Sequence, residues 1–342
     1  MPVTLVEVAA RAGVSPATVS RVLNGNYPVA ESTRQRVEEA VRELDYVVNA
    51  HARALLHATS GIVGVVLNDA SDPFFAGIAR GIQGAAAETS RLSVICNSEG
   101  DPEQEFAFLD LLRGHRADAV ILVGAAPEDE EYRAAASTRA KGMLTTGTRM
   151  VLCGRPSPGE DAPGHVVEID NEGGSAAITR HLVELGHRRI AYVTGPDGRT
   201  TTTARLAGFR RALADSGVEA DENLVVHGDF SRQAGREAVE RLLAAGRDFT
   251  AVLAANDLVA AGAVSALRAA GRSVPDDVSV AGYDNLPTAV DVWPNLTTVH
   301  VPLEEIGRKA IELAFGPADP QTVVTIPTAV VVRDSTAAPA TG

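Results

Sequence analysis

Residues 4–24, TLVEVAARAGVSPATVSRVLN, restrict what this chain can fold into more than any other stretch. They describe two short helices joined by a tight turn. Thr4 and Glu7 have the Thr-x-x-Glu spacing of a capping box, which satisfies free backbone donors at a helix start. Leu5, Val8 and Ala9 then recur at helical spacing and make one apolar face. Gly13 stands where the chain must reverse, and glycine takes positive φ at little steric cost. Ser15 can cap a second helix, and Pro16 suits its first position, where a missing N–H costs nothing. Val19 and Leu23 point inward from that helix. Thr18, Ser20, Arg21 and Asn24 can line its outer side. A helix presented this way can enter the major groove of DNA.

VEEAVRELDY (37–46) adds a third helix with Val37, Ala40, Val41 and Leu44 on one stripe, enough to close a three-helix core. NAHARALLHATSG (49–61) then leads into buried strands. The order and spacing of these parts closely resemble the N-terminal headpiece of the LacI/GalR family of bacterial transcription regulators, and VSPATVSRVLNG (14–25) is highly specific to it. The resemblance runs through LVELGHRRIAYVTGP (182–196), ARLAGFRRAL (204–213), ANDLVAAGAVSALRAAG (255–271) and DVSVAGYDN (277–285), so it covers nearly the whole chain. It implies a small all-α helix-turn-helix headpiece followed by an α/β core of two subdomains, like a periplasmic binding protein.

At 342 residues the chain can hold a small domain plus one or two core domains. It is 45% hydrophobic and 22% charged, a globular balance. No apolar run approaches the ~18 residues of a membrane span. No basic-then-apolar leader opens the chain, so a cytoplasmic location is expected. Cys96 and Cys153 lie in apolar strand-like runs and read as reduced thiols rather than a disulfide or zinc site. The net charge of −13 looks wrong for a DNA binder, but residues 1–60 hold six arginines and six acidic residues. All of the negative excess therefore lies beyond the headpiece. An acidic body is repelled by DNA, so binding must rest on local arginines and on helix N-termini at phosphates. Weak non-specific affinity and marked salt sensitivity are expected.

After Ser60 strands and helices alternate. IVGVVL (62–67), LSVIC (92–96) and AVILV (119–123) read as buried parallel strands, with helices near 74–89 and 103–113. A second set comprises 166–169, 189–194, 224–227, 250–255 and 278–282, separated by helices near 172–185, 204–216, 232–245 and 257–270. This alternation predicts doubly wound parallel sheets in two subdomains with a cleft between them. The Pro/Gly-rich loop 157–165 reads as the crossing. By resemblance, the chain crosses back to the first subdomain after about residue 290 and then returns. The expected division is a headpiece at 2–48, a hinge at 49–60 and a core at 61–334. Within the core, one subdomain takes about 61–162 and 291–325, and the other about 163–290 and 326–334. Residues 335–342 read as a disordered tail.

Arg21 can reach a guanine edge or a phosphate, and bidentate arginine–guanine pairing is worth ~1–3 kcal/mol of discrimination. Thr4, at a helix N-terminus, and Thr18, Ser20 and Asn24 suit phosphates, which set register rather than sequence. Pro16 and Ala17 occupy positions that the resembling family uses to distinguish operators, or they merely start the helix. Asn49 can cap a hinge helix containing Ala52 and Leu55, too short to be stable alone. By resemblance that helix folds when two copies pair in the minor groove, with Leu55 wedged into the central base step. The alternative is that Leu55 packs on the core. Val48 stands where the family often has proline.

Open α/β sheets bind ligands beyond the carboxyl ends of their strands. Asp72, Asn256, Asp257 and Asp284 follow strands there, with Arg205 as a charged donor and Phe74, Phe75 and Phe230 as apolar faces. By resemblance Arg205, Asn256 and Asp284 fall at effector-binding positions, with Phe75 and Phe230 as stacking partners. Other readings stay open: Asp72 and Asp257 as helix caps, Asp284 as a turn residue, Arg205 as an ion-pair member. No nucleotide loop, nucleophile elbow or metal-ligand spacing occurs, so neither an enzyme nor a cofactor is expected. His181 and His187 read as surface or capping residues. The expected protein is a repressor binding a near-palindromic double-stranded operator as a homodimer, away from membranes. Its effector is expected to be small, with a sugar ahead of a purine. The rivals are a transport-type sugar-binding module and an enzyme acting on sugars or nucleosides.

Overall fold

The computed structural model describes residues 3–24, 28–46, 59–159, 161–317 and 321–340. They form two compact units, residues 1–60 and 61–342. The predicted hinge residues Asn49, Ala52 and Leu55, together with Val48, lie outside the described residues, as does the side chain of Asn24.

The first unit packs α1 (Leu5–Ala12), α2 (Pro16–Asn24) and α3 (Glu31–Glu43). The capping box forms as the sequence predicts. The Thr4 N–H donates to Glu7 Oε2 (2.7 Å), and the Glu7 N–H donates to Thr4 Oγ1 (3.4 Å). Gly13 ends α1 in the left-handed region at φ 66°. Ser15 Oγ accepts from the Thr18 N–H at 3.2 Å and so caps α2. Val8, Ala9, Ala12, Val19, Val37 and Ala40 are buried together, with Leu23, Val41 and Leu44 packed around them. The exposed Arg11–Glu43 pair (2.5 Å) joins α1 to α3.

The second unit contains two parallel sheets. In the first, β1 (Ile62–Leu67), β2 (Leu92–Asn97), β3 (Ala119–Val123), β4 (Arg149–Cys153), β5 (His165–Ile169) and β11 (Val323–Ile326) lie in the order β11-β5-β4-β3-β1-β2. Helices α4 (Pro73–Glu88) and α12 (Leu303–Phe315) cover one face. Helices α5 (Pro102–Gly114) and α6 (Glu130–Thr145) cover the other. Strand residues alternate between the two cores: Val63, Val65 and Leu67 join one, Val66 the other. Burial on both faces explains why these strands read as continuous apolar runs.

The second sheet holds β6 (Ile190–Thr194), β7 (Val225–His227), β8 (Ala251–Ala254) and β9 (Ser279–Ala281) in the order β7-β6-β8-β9. Helices α7 (Asn171–Glu184) and α8 (Thr200–Asp215) pack on one face. Helices α9 (Arg232–Ala244) and α10 (Asp257–Ala269) pack on the other. A short helix α11 (Thr288–Asp291) leads to β10 (Thr298–His300), which pairs antiparallel with β12 (Ala329–Val331).

This architecture corrects the expected division in three places. The strand at 166–169 pairs with β4 and β11, so it belongs to the first sheet, and the crossing follows it at Asp170 rather than preceding it. Residues 291–301 stay with the second sheet. Leu296 joins its core, and Thr297 and His300 bridge to Ala281 and Asp284. The tail is also ordered through residue 340. Ser335 is buried, donates to Val280 O (2.5 Å) and accepts from the Thr297 N–H (2.8 Å). His187 is likewise a core residue rather than a surface one. It lies 2.9 Å from Thr250 Oγ1 through Nδ1 and 2.9 Å from Ala337 O through Nε2. Small polar residues that resemble disorder here satisfy backbone groups at the sheet's edge.

Close helix pairs depend on glycine. A Cβ on Gly81 would strike Glu304 O, and one on Gly307 would strike Ile78 O, so α4 and α12 touch backbone to backbone. Gly235 against Val259 O and Gly262 against Arg232 O repeat the device between α9 and α10. Valine and glycine differ little in helix propensity, so Gly262→Val isolates the steric effect. Urea unfolding should show a loss of about 1–3 kcal/mol from overpacking.

Candidate functional site

The outer face of α2 carries Pro16, Ala17, Ser20 and Arg21, with Pro16, Ala17 and Arg21 exposed. Spacings of three and four residues (16/20, 17/20 and 17/21) place these side chains together on one side of the helix. Thr18 is half-buried, and its Oγ1 lies 2.9 Å from Ser15 Oγ. Thr4 is exposed, but its hydroxyl donates to Glu7 Oε2 (2.9 Å), so it shapes the α1 terminus first.

In the core, Asp72, Phe230, Asn256 and Asp284 follow the carboxyl ends of β1, β7, β8 and β9, and Phe75 and Arg205 lie in the helices that follow β1 and β6. Asp72 caps α4, accepting from the Phe74 N–H at 2.8 Å, and partial burial raises its pKa. Phe75 lies over Gly124, just past β3. A Cβ on that glycine would stand 2.8 Å from the ring. Phe230 covers Gly195, just past β6, in the same way. In both places glycine makes room for a phenyl face.

Asn256 is almost fully engaged. Its Oδ1 accepts from the Val259 N–H (2.8 Å) as the cap of α10, and its Nδ2 donates to Phe230 O (3.1 Å). The cap is therefore Asn256 and not Asp257, which turns inward. Asp257 accepts from the Leu286 N–H and from Thr298 Oγ1, both at 2.6 Å.

Arg205 is the hub. Its Nε donates to Asn171 Oδ1 (2.8 Å), Nη1 to Ala255 O (2.5 Å) and Nη2 to Asp284 Oδ1 (3.1 Å). Its guanidinium lies 3.7 Å from the centroid of the Tyr283 ring. Both Arg205 and Asp284 are 3% exposed. Burial pushes the Asp284 carboxyl up to about 6, Arg205 opposes that, and the Asp72 charge adds to it. Asp72 follows β1 of the first sheet and Asp284 follows β9 of the second. Asp284 itself has φ 92°, a strained setting for a residue with a side chain.

Asn171 and Tyr283 were not singled out from the sequence. Asn171 opens α7 and also lines a groove of about 440 Å³ with Asp170, Thr200 and Thr201. The first sheet has a positioning network that sequence reasoning also missed. Arg155, buried, donates to Glu105 (3.0 Å), to Tyr132 Oη (2.8 Å) and to Gly124 O (2.7 Å), fixing the ledge beneath Phe75. Across the cleft, Thr203 Oγ1 donates to Glu128 Oε2 (2.6 Å), and the Thr200 N–H donates to Ala126 O (3.0 Å). Cys153 is buried, Cys96 is half-buried, and both are free thiols. Among the described residues no cluster of three or more His, Cys, Asp or Glu could hold a metal, and no helix is long and apolar enough to cross a membrane.

Comparison with known proteins bears on both units. Residues 4–49 match the family described as "Bacterial regulatory proteins, lacI family", and residues 179–336 match a periplasmic binding protein-like domain. The transcriptional regulator CelR of Thermobifida fusca is 38% identical over 316 residues, covering 91% of this chain and 90% of that protein. A structure of the CelR–cellobiose complex superposes with a TM-score of 0.71 at 34% identity, covering 97% of this chain and 99% of that one. The Lac repressor dimer bound to operator and the anti-inducer ONPF superposes with a TM-score of 0.85 at 27% identity, covering 99% and 100%.

Proposed function

The chain belongs to the LacI family of bacterial transcription regulators, and from that premise we propose a sugar-responsive repressor that reads its operator with α2. As a member of a regulator family it is not an enzyme. One observation carries the operator reading. A capped, fully closed three-helix unit turns Pro16, Ala17, Ser20 and Arg21 outward on a single helix face. Arg21 is the base-reading side chain, with Thr4, Thr18, Ser20 and Asn24 on phosphates. Asn49, Ala52 and Leu55 form the hinge contact. A DNA target implies a cytoplasmic protein. A homodimer matches a near-palindromic site, as in the operator-bound Lac repressor dimer.

The effector occupies the cleft bounded by Asp72, Phe75, Arg205, Phe230, Asn256 and Asp284. Two phenyl faces and several acceptors suit a polyhydroxylated ring, and the CelR–cellobiose complex supports a sugar. Neither carboxylate side favours an anion, which argues against a sugar phosphate. The ligand would act by preferring one lobe arrangement, with a coupling to operator affinity of about 1–3 kcal/mol.

The test is a gel-shift titration of the full chain on its own upstream DNA, with and without cellobiose, D-galactose or hypoxanthine. A specific, salt-sensitive complex whose affinity changes with one sugar is expected. Absence of any specific complex at low salt overturns the reading. Arg21→Ala should lose about 1–3 kcal/mol of preference for operator over random duplex. Equal preference in that variant would remove Arg21 from base readout.

A further inference from the structure

One hydroxyl at the cleft is buried with no partner. Thr202 sits in the first turn of α8 at 3% exposure, and its Oγ1 makes no hydrogen bond. Buried polar atoms are nearly always paired, because an unpaired one loses its water without compensation. Helical threonines have a ready remedy in the carbonyl four residues earlier. Thr179 uses it, donating to Ser175 O at 2.7 Å. Thr202 stands too near the helix start. Residue 198 precedes the helix, and its carbonyl accepts from the Glu128 N–H (2.8 Å) instead.

The hydroxyl faces the carboxyl end of β6. A Cβ on Gly195 would stand 2.7 Å from Thr202 Oγ1, and the Phe230 ring reaches the same point. Phe230 therefore roofs the hydroxyl and fills the space that Gly195 leaves. Its backbone is held by Asn256 Nδ2 on its carbonyl (3.1 Å) and by the Ser231 cap of α9. The ring is only half-buried, so it can change rotamer with those bonds intact.

We infer that Thr202 is a specificity-determining contact for the effector, uncovered when the Phe230 ring swings away from Gly195. The inference rests on reading this cleft as the effector site. Arg205 spends donors on Asn171, Ala255 and Asp284, and Asp72 and Asp284 supply acceptors. Thr202 adds a group that both gives and takes a hydrogen bond, placed deep against a phenyl ring. That combination selects a neutral ring hydroxyl over a charged substituent.

Thr202→Val and Thr202→Ser in the full chain test this. Valine keeps the shape and removes the unpaired group, so ligand-free Thr202→Val should unfold about 2–4 °C higher than wild type. In a Phe230→Ala background, where water reaches the hydroxyl, that gain should vanish. Calorimetric titration with cellobiose and D-galactose should show the bound sugar about tenfold weaker on Thr202→Val and nearly unchanged on Thr202→Ser. A lower melting temperature for Thr202→Val would show that the hydroxyl serves the fold, and the inference fails. Undiminished sugar binding by Thr202→Val also overturns it while leaving the cleft reading intact. Wild-type protein that takes up neither sugar overturns the sugar reading of the cleft and this contact together.

Discussion

Arg205→Ala will lower the stability of the core by about 3–5 kcal/mol and abolish the response of operator binding to effector. The size follows from what is left behind. Asp284 is buried, and Arg205 Nη2 at 3.1 Å is its charged partner. Removing the cation leaves a carboxylate whose burial already pushes it up to about 6. It also strips donors from Asn171 Oδ1 and Ala255 O, and bares the Tyr283 face. Breaking a surface pair such as Arg236–Glu240, with both partners about half exposed, should move the urea midpoint far less in the same assay. Arg205→Lys keeps the charge but cannot reproduce a planar fork on three acceptors, so it should fall between wild type and alanine. In Arg205→Met with Asp284→Asn, much of the lost stability should return while the effector response stays absent. That pattern separates the cost of an unpaired buried charge from the loss of ligand contacts. A cost below 1 kcal/mol for Arg205→Ala would show that water reaches the pair and that the hub is not a buried one.

Local chemistry was legible in the sequence, and long-range pairing was not. Thr4 with Glu7, Gly13, and Ser15 before Pro16 each specify a backbone event within four residues, and each is found as expected. Asp72 before Pro73 likewise reads directly as a cap. The strand at 166–169 was assigned to the wrong sheet because apolar periodicity marks a strand without naming its neighbour. Only the register of Val166 and Val167 with Leu152 and Cys153 shows where it belongs. That error also hid Asn171, which looks like a loop residue until β5 delivers it to Arg205. Asn256 and Asp257 are adjacent and both able to cap, so their roles could be exchanged on paper. The structure separates them, because Gly282 leaves room for Asp257 to turn inward. The order in Ser335–Pro339 was illegible for the same reason: its partners, Val280, Thr297 and His187, lie far away in sequence.

Asp257→Asn should leave stability nearly unchanged below about pH 4 and raise it progressively from there to about pH 7. Asp257 is fully buried, and burial pushes its carboxyl from 3.8 up to about 7, with Asp284 reinforcing the shift and Arg333, Thr298 and the Leu286 N–H opposing it. A carboxyl whose folded pKa is raised holds its proton longer in the folded state than in the unfolded one. Its contribution is fully present below about 3.8 and is lost as pH climbs through about 7. Within that window the loss runs at about 1.4 kcal/mol per pH unit, flattening near pH 7, so about 2 kcal/mol is lost between pH 5 and 7. Asparagine copies the protonated acid. Its oxygen accepts from the Leu286 N–H, and its amide donates to Thr298 Oγ1, whose hydroxyl can turn away. The difference between variant and wild type cancels titrations elsewhere, including those of His181 and His187, whose pKa values burial lowers. Urea midpoints at half-unit pH steps should therefore diverge from about pH 4 and level off at a constant gap above about pH 7. Parallel curves would mean that Asp257 ionises freely, with Thr298 and Leu286 paired to a carboxylate throughout.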